Sequence, residues 1–326
     1  NKIDHYTIKA DDKLIDEQVE MFQGRAGKYE KAEEYDAEKN DLLKGDLREL
    51  DAEGNTKEDG ITVEGAVLMP SYIKVDEQKD LFKGCKPGDI ITFNPRKAYP
   101  EGEAEISSLL KIDREVAKTL ESDFSYQVTE IQRFAKAELG QELYDQVFGE
   151  GEVKSEEEFR NKIAETLKPQ LEQNADYKFM IDVRKYCEDK VGELTWPDAL
   201  LKRIMLLNNK DKGEDFVEKN YDESIKQLKW HLIKEQLVKA QNIKIEDADV
   251  KAAAVEMARM QFAQYGMTNV PDEYVENYAN ELLKKREAVD NFVERAIDIK
   301  LAAALKAAVT LNEKEVTLEE FNEMMK

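Results

Sequence analysis

The chain has 326 residues, 37% of them charged, and a formal net charge of −22. Phosphate binding needs clustered Lys and Arg, so no direct nucleic-acid partner is expected. No run approaches the roughly 18 apolar residues of a membrane span and no signal peptide is visible, so no membrane association is expected either.

A predicted strand over residues 5–9 opens the chain. Asp11 or Asp12 then caps a helix whose Leu14, Ile15, Val19 and Phe22 face inward. Gly24 and Gly27 end it, a second strand follows near residues 28–30, and the charge-rich 33–40 reads as a linker. Residues 1–40 are therefore expected to be a lead-in.

Residues 41–134 change character and predict a small, mainly β domain. Residues 46–50 alternate like a half-buried strand, 51–55 carry turn chemistry, and 65–69 form a compact apolar run. Residues 90–93 form a strand entered through Pro87-Gly88 and ended by Pro95, and 125–131 alternate again. One helix is expected inside this domain, over 103–121.

From 135 to 326 the chain reads as helical. Leu139, Leu143, Val147 and Phe148 mark a short amphipathic helix. Ser155 with Glu158 is a capping box for the next, in which Pro169 predicts a kink or interruption. Residues 177–191 predict a separate helix, and Trp196-Pro197-Asp198 starts another. The region at about 216–308 predicts three long helices. The first carries two apolar stripes, one of them through Trp230. The third begins near Asn269–Asp272 and continues for about 37 residues, on the order of 55 Å, with Lys285 its one polar interruption. A last helix opens at Thr317.

Phe262, Tyr265, Met267 and Tyr274 gather at the turn between the second and third long helices. Met is unbranched and polarizable and suits promiscuous contact, so these four and Trp230 are candidate residues for gripping an apolar partner. Packing of the helix ends against themselves is the other reading of the same residues. Cys85 and Cys187 share no motif and read as thiols of a reducing, cytoplasmic setting. His5 and His231 are the only histidines, and zinc, EF-hand, Walker and dinucleotide motifs are absent, so neither metal nor cofactor is expected.

Two stretches carry a family resemblance. The segment Leu81-Phe82-Lys83-Gly84-Cys85-Lys86-Pro87-Gly88-Asp89-Ile90-Ile91-Thr92-Phe93-Asn94-Pro95, with Ala98-Tyr99, resembles the G-M-K-x-G-E, strand, P-x-x-A-Y segment of FK506-binding-type prolyl isomerases. The helical half, from Ala137-Glu138-Leu139 to Glu319-Glu320-Phe321-Asn322, is similar to bacterial trigger factors in their divergent Bacteroidetes form. The resemblance implies an FKBP-like domain followed by a helical domain with long arms. It also implies an ATP-independent chaperone that holds unfolded or nascent polypeptides, and a ribosome as partner of the full-length protein. The family's ribosome-docking G-F-R-x-G-x-x-P loop does not occur here, so a fragment lacking most of that N-terminal domain is expected.

In the isomerase-like segment Tyr99 falls at the family's pocket tyrosine and Val75 can stand for its isoleucine, with Phe82 as a further candidate. Gln78 falls where the aromatic floor belongs, which implies a degenerate pocket. A working FKBP-type isomerase with helical appendages, a periplasmic chaperone of the SurA type, and an adaptor for one defined partner are the alternative readings.

Overall fold

The computed structural model describes residues 2–267 and 270–326. Strand β1 (Lys2–Lys9) leads into helix α1 (Asp12–Arg25), whose first turn is capped by Asp11, a carboxylate accepting from the Leu14 N–H at 3.1 Å. The chain continues through β2 (Lys28–Ala32), β3 (Leu42–Glu49), β4 (Thr62–Leu68), α2 (Asp76–Lys79), β5 (Ile90–Phe93) and α3 (Pro95–Ala98). Then come α4 (Glu103–Leu110), α5 (Arg114–Thr119), β6 (Phe124–Ala135), α6 (Gln141–Phe148) and α7 (Glu156–Val191). The last part is α8 (Asp198–Asn208), α9 (Gly213–Ala240), α10 (Asp247–Gln264), α11 (Asp272–Leu282), α12 (Arg286–Ala308), β7 (Thr310–Thr317) and α13 (Leu318–Met324).

These elements form two units, Glu17–Phe159 and Asn1–Asp16 with Arg160–Lys326. The division differs from the expected 1–40, 41–134 and 135–326, because the lead-in is shared out between the units. β1 enters the helical unit, while β2 and Tyr35 enter the β-rich one, where Tyr35 is buried in the core rather than lying in a linker.

In the β-rich unit, β6 is the central strand. It pairs antiparallel with β3 along one side, and with β5 near its start and β2 near its end along the other; β4 extends the sheet beyond β3. The alternation at 125–131 sends Tyr126, Val128 and Ile131 into the core. Gly45 sits where a Cβ would lie 2.3 Å from the Gln127 carbonyl oxygen, so the register shift there requires glycine. Phe82, Phe93 and Tyr126 meet edge to face at 5.4–6.5 Å between ring centres. Burying each such ring contributes about 1.5–3 kcal/mol. The helix expected over 103–121 is two helices, because Lys111 takes a left-handed backbone (φ 54°) that ends α4.

In the helical unit, β1 and β7 form a two-stranded parallel sheet. Tyr6 and Ile8 pack with Leu14, Leu171, Ala175 and Phe321. β7 corrects the expectation that everything after 135 is helical. Helix α7 corrects a second expectation, since it runs unbroken for 36 residues through Pro169. Proline removes one backbone bond. The buried stripe of Leu171, Ala175, Phe179 and Val183 continues beyond it and holds the helix together. Ser155 caps this helix as read, its hydroxyl accepting from the Glu158 N–H at 3.1 Å. The predicted third arm helix is broken into α11 and α12 between Leu282 and Arg286, at the polar Lys284-Lys285. Its expected start at Asn269 lies outside the described residues.

Candidate functional site

Helix α7 has two apolar stripes. One is the buried Ala175–Phe179–Val183 row. The other, Tyr177, Met180 and Ile181, lies one turn face away and lines an open cavity of about 820 Å³. The wall from α9 contributes Trp230, α10 contributes Met260 and Phe262, and Met267 follows just beyond it. Ile299 and Ala302 of α12 supply the remaining apolar lining. Part of this lining is uncovered: Tyr177 is 64% exposed and Met267 51%, while Met180, Trp230 and Phe262 are half-buried and Ala302 is buried. A contiguous apolar surface of this kind marks an interaction site rather than a core.

Most of the charged groups around the cavity are held in pairs, Glu172 excepted. Glu256 accepts from Gln173 and lies 3.3 Å from an Arg295 nitrogen. Asp176 is met by Lys306 at 2.6 Å, and Asp298 by Lys234 at 2.5 Å. Arg259 reaches Asp272 at 2.6 Å. Arg184 donates to Glu188 at 2.8 Å and sits 5.5 Å from the Trp230 ring centre. Burial pulls the Lys234 ammonium down, but its hydrogen bonds to Asp298 and Glu294 outweigh that and leave its pKa raised. The result is an apolar surface most of whose rim charges are locally cancelled. It offers contact area and methyl groups, and little demand for a particular charge pattern.

Three of the five sequence-predicted gripping residues, Trp230, Phe262 and Met267, line this cavity. Phe262 also stacks on Tyr278 at 5.4 Å, so it both packs the hairpin and faces the cavity. Tyr265 and Tyr274 are exposed but do not line it. The α7 residues were not among the candidates. Their signal was present: Tyr177, Ile181 and Arg184 recur at steps of four and three, beside the buried row.

The isomerase-like residues are placed differently. Phe82 is 0% exposed, at the centre of the aromatic core. A side chain so covered cannot touch a bound peptide unless the core opens. Val75 is half-buried and precedes α2. Tyr99 is buried, and its hydroxyl pKa is pushed up to about 12 by that burial and then by the charge of Glu105. Gln78 is buried too, and its side-chain oxygen accepts from the Asn94 N–H at 2.8 Å. Asn94 in turn donates to the Glu121 carbonyl and the Asp123 carboxylate at 2.9 Å each. At the position of the expected aromatic floor there is thus a satisfied polar network that pins the start of α3. Among the described residues, no group of three or more His, Cys, Asp or Glu is arranged to hold a metal ion, and no helix is long and apolar enough to cross a membrane.

Comparison with known proteins yields two family matches. Residues 29–136 match the model described as "Probable trigger factor, FKBP-like domain", and residues 175–325 the one described as "Probable trigger factor, C-terminal domain". No curated protein matches the chain. A solved structure titled "Promiscuous Substrate Recognition in Folding and Assembly Activities of the Trigger Factor Chaperone" is similar at 15% identity, over 93% of this chain and 70% of that one, with a TM-score of 0.48. The two matched models follow one another along most of the sequence, in the order the β-rich and helical units take in the fold, and the chain belongs to the trigger factor family of chaperones.

Proposed function

We propose that the helical unit holds segments of unfolded or nascent polypeptides in the cavity between α7, α9, α10 and α12, without ATP. The observation that carries this reading is the partly uncovered Met- and aromatic-lined surface with most of its rim charges paired. A client chain gains contact area there, each contact is weak, and several along one chain raise avidity. Covering an aggregation-prone segment favours folding over aggregation. The net charge of −22 keeps a loaded complex in solution. The test is light scattering from an aggregating, chemically unfolded protein with near-stoichiometric chain. Suppression without nucleotide is expected. A folded, monodisperse chain that leaves the scattering unchanged overturns the reading.

The β-rich unit contributes structure rather than prolyl rotation in this proposal, since Phe82 is closed off and Gln78 is engaged with Asn94. A proline-isomerisation assay on a tetrapeptide is expected to show no acceleration over the uncatalysed rate. The family likeness supports a cytoplasmic setting and a ribosome as partner in this reading.

A further inference from the structure

The four helices around the cavity are not anchored alike. Helix α7 buries Phe179 and Val183, α10 buries Ala253, Ala254 and Ala258, and α12 buries Phe292, Ala296 and Leu301. In α9 only Val217 and Tyr221 are buried, and no residue of the helix beyond Tyr221 is. That stretch is the part that carries Trp230 into the cavity. What holds it is mostly polar. The Lys229 ammonium donates to the carbonyls of Glu188 and Gly192, at 3.2 and 2.6 Å, at the C-terminal end of α7. Lys234, its side chain 14% exposed, lies 2.5 Å from Asp298 and 3.2 Å from Glu294 on α12. The Arg184 guanidinium lies over Trp230. Beyond Tyr221, the helix is tied to an apolar cluster at its base, where Leu237, Val238 and Ile243 pack at the edge of the cluster built on Phe179, Leu301 and Leu305.

We propose that α9 is the movable wall of the cavity, hinged at Leu237–Ile243 and closed by a latch of Lys229 and Lys234. Well-packed walls have one arrangement, because apolar interdigitation is lost steeply with separation. Ion pairs and cation–carbonyl bonds lose less when they part, because water takes over their solvation. A wall held by such contacts therefore has a low-lying open state. Opening carries Trp230 away from Tyr177 and Met260 and widens the cavity for a bulkier segment. Closing brings the indole back over Arg184.

The experiment reads the wall directly, in the full chain and without client, so a failed latch and a failed holding activity are separate results. Spin labels are placed on Lys226→Cys in α9 and Asp290→Cys in α12, both exposed positions, with Cys187→Ser removing the more accessible native thiol. Lys226 is two turns farther from the hinge than Lys234, which magnifies the swing. Pulsed dipolar spectroscopy should give a short-distance population and a minor longer one. Lys234→Met and Asp298→Asn should each raise the longer population roughly fivefold, the scale of one partly exposed ion pair. Raising salt to about 0.5 M in the labelled parent should act in the same direction. If Lys234→Met does not fold, the Asp298→Asn variant and the salt arm decide the question. A distance distribution unmoved by the folded variants and by salt overturns the proposal.

Discussion

The β-rich and helical units use the same side chains to opposite ends. Among the described residues, Phe82, Phe93, Phe124 and Tyr126 are fully buried in the core of the β-rich unit, whereas Phe179 is the one aromatic of the helical unit covered to that degree. In the helical unit, Tyr177, Met260 and Met267 are left in solvent at comparable size. Hydrogen-bonded strands bring side chains from neighbouring positions to one face and close over them. Long helices that meet only along part of their length leave the remaining faces open. Apolar area thus goes into the core in the β-rich unit, while the helical unit buries part of its own and keeps part available.

The sharpest way to break this contrast is Phe82→Ala. A fully packed aromatic deletion costs about 3–5 kcal/mol, and the loss should fall on the β-rich unit. Hydrogen exchange should show residues 17–159 losing protection while α10 and α12 keep theirs. Equal loss in both units would mean that they do not unfold separately.

Pro169→Ala tests the helical side. The residue is exposed on α7, and a proline in a helix interior costs up to about 3 kcal/mol relative to alanine. A gain of roughly 1–3 kcal/mol in the urea transition of the helical unit is expected. No gain would mean that proline serves the shape of the cavity wall it lines.

Glu49 offers a pH test confined to the β-rich unit. Its burial raises the pKa, but the Ser122 hydroxyl, the Ile61 N–H and Lys57 outweigh this and leave it below the ordinary 4.5. A depressed carboxyl contributes stability that is present above its unfolded value and lost as pH falls through the folded one. The β-rich unit should therefore weaken below about pH 4.5, and Glu49→Gln should flatten that slope while costing about 1–3 kcal/mol at neutral pH. An acid titration of the Phe and Tyr signals would check it.

The smallest expected change in stability belongs to the cavity. Ile181→Ser with Met260→Ser removes exposed apolar groups, so the transition should move by less than about 1 kcal/mol. Suppression of client aggregation should nevertheless fall several-fold. Unchanged suppression would move the holding surface elsewhere.

What the sequence revealed depended on how local the cause was. Caps act over three residues: the structure bears out Ser155, selects Asp11 from the Asp11 or Asp12 alternatives, and shows Thr317 accepting the Glu320 N–H where the last helix was expected to open. β5 was announced by its bounding Pro87-Gly88 turn and Pro95, and β6 by alternation. β7 was not, because Asn312, Glu313, Lys314 and Glu315 give it no apolar pattern. Its strand state comes from pairing with β1 and from the bonds Asn312 and Lys314 make to Asp4. Continuity of α7 was hidden for the same reason, since the packing that overrides Pro169 comes from distant segments. At the candidate site, Trp230, Phe262 and Met267 could be picked out as residue types. That Tyr177 and Ile181 face them could not, because helix–helix placement is not a local property.

The pairing of β1 with β7 has a consequence for how the molecule is made. His5 and its partner Glu313 are 308 residues apart, whereas the β-rich unit is one unbroken stretch. At roughly 5–20 residues per second, β1 leaves the synthesis machinery on the order of fifteen seconds to a minute before its partner exists. The β-rich unit can complete itself during that interval. The first strand of the helical unit must wait unpaired, so this chaperone begins its existence as the kind of incomplete chain that chaperones protect.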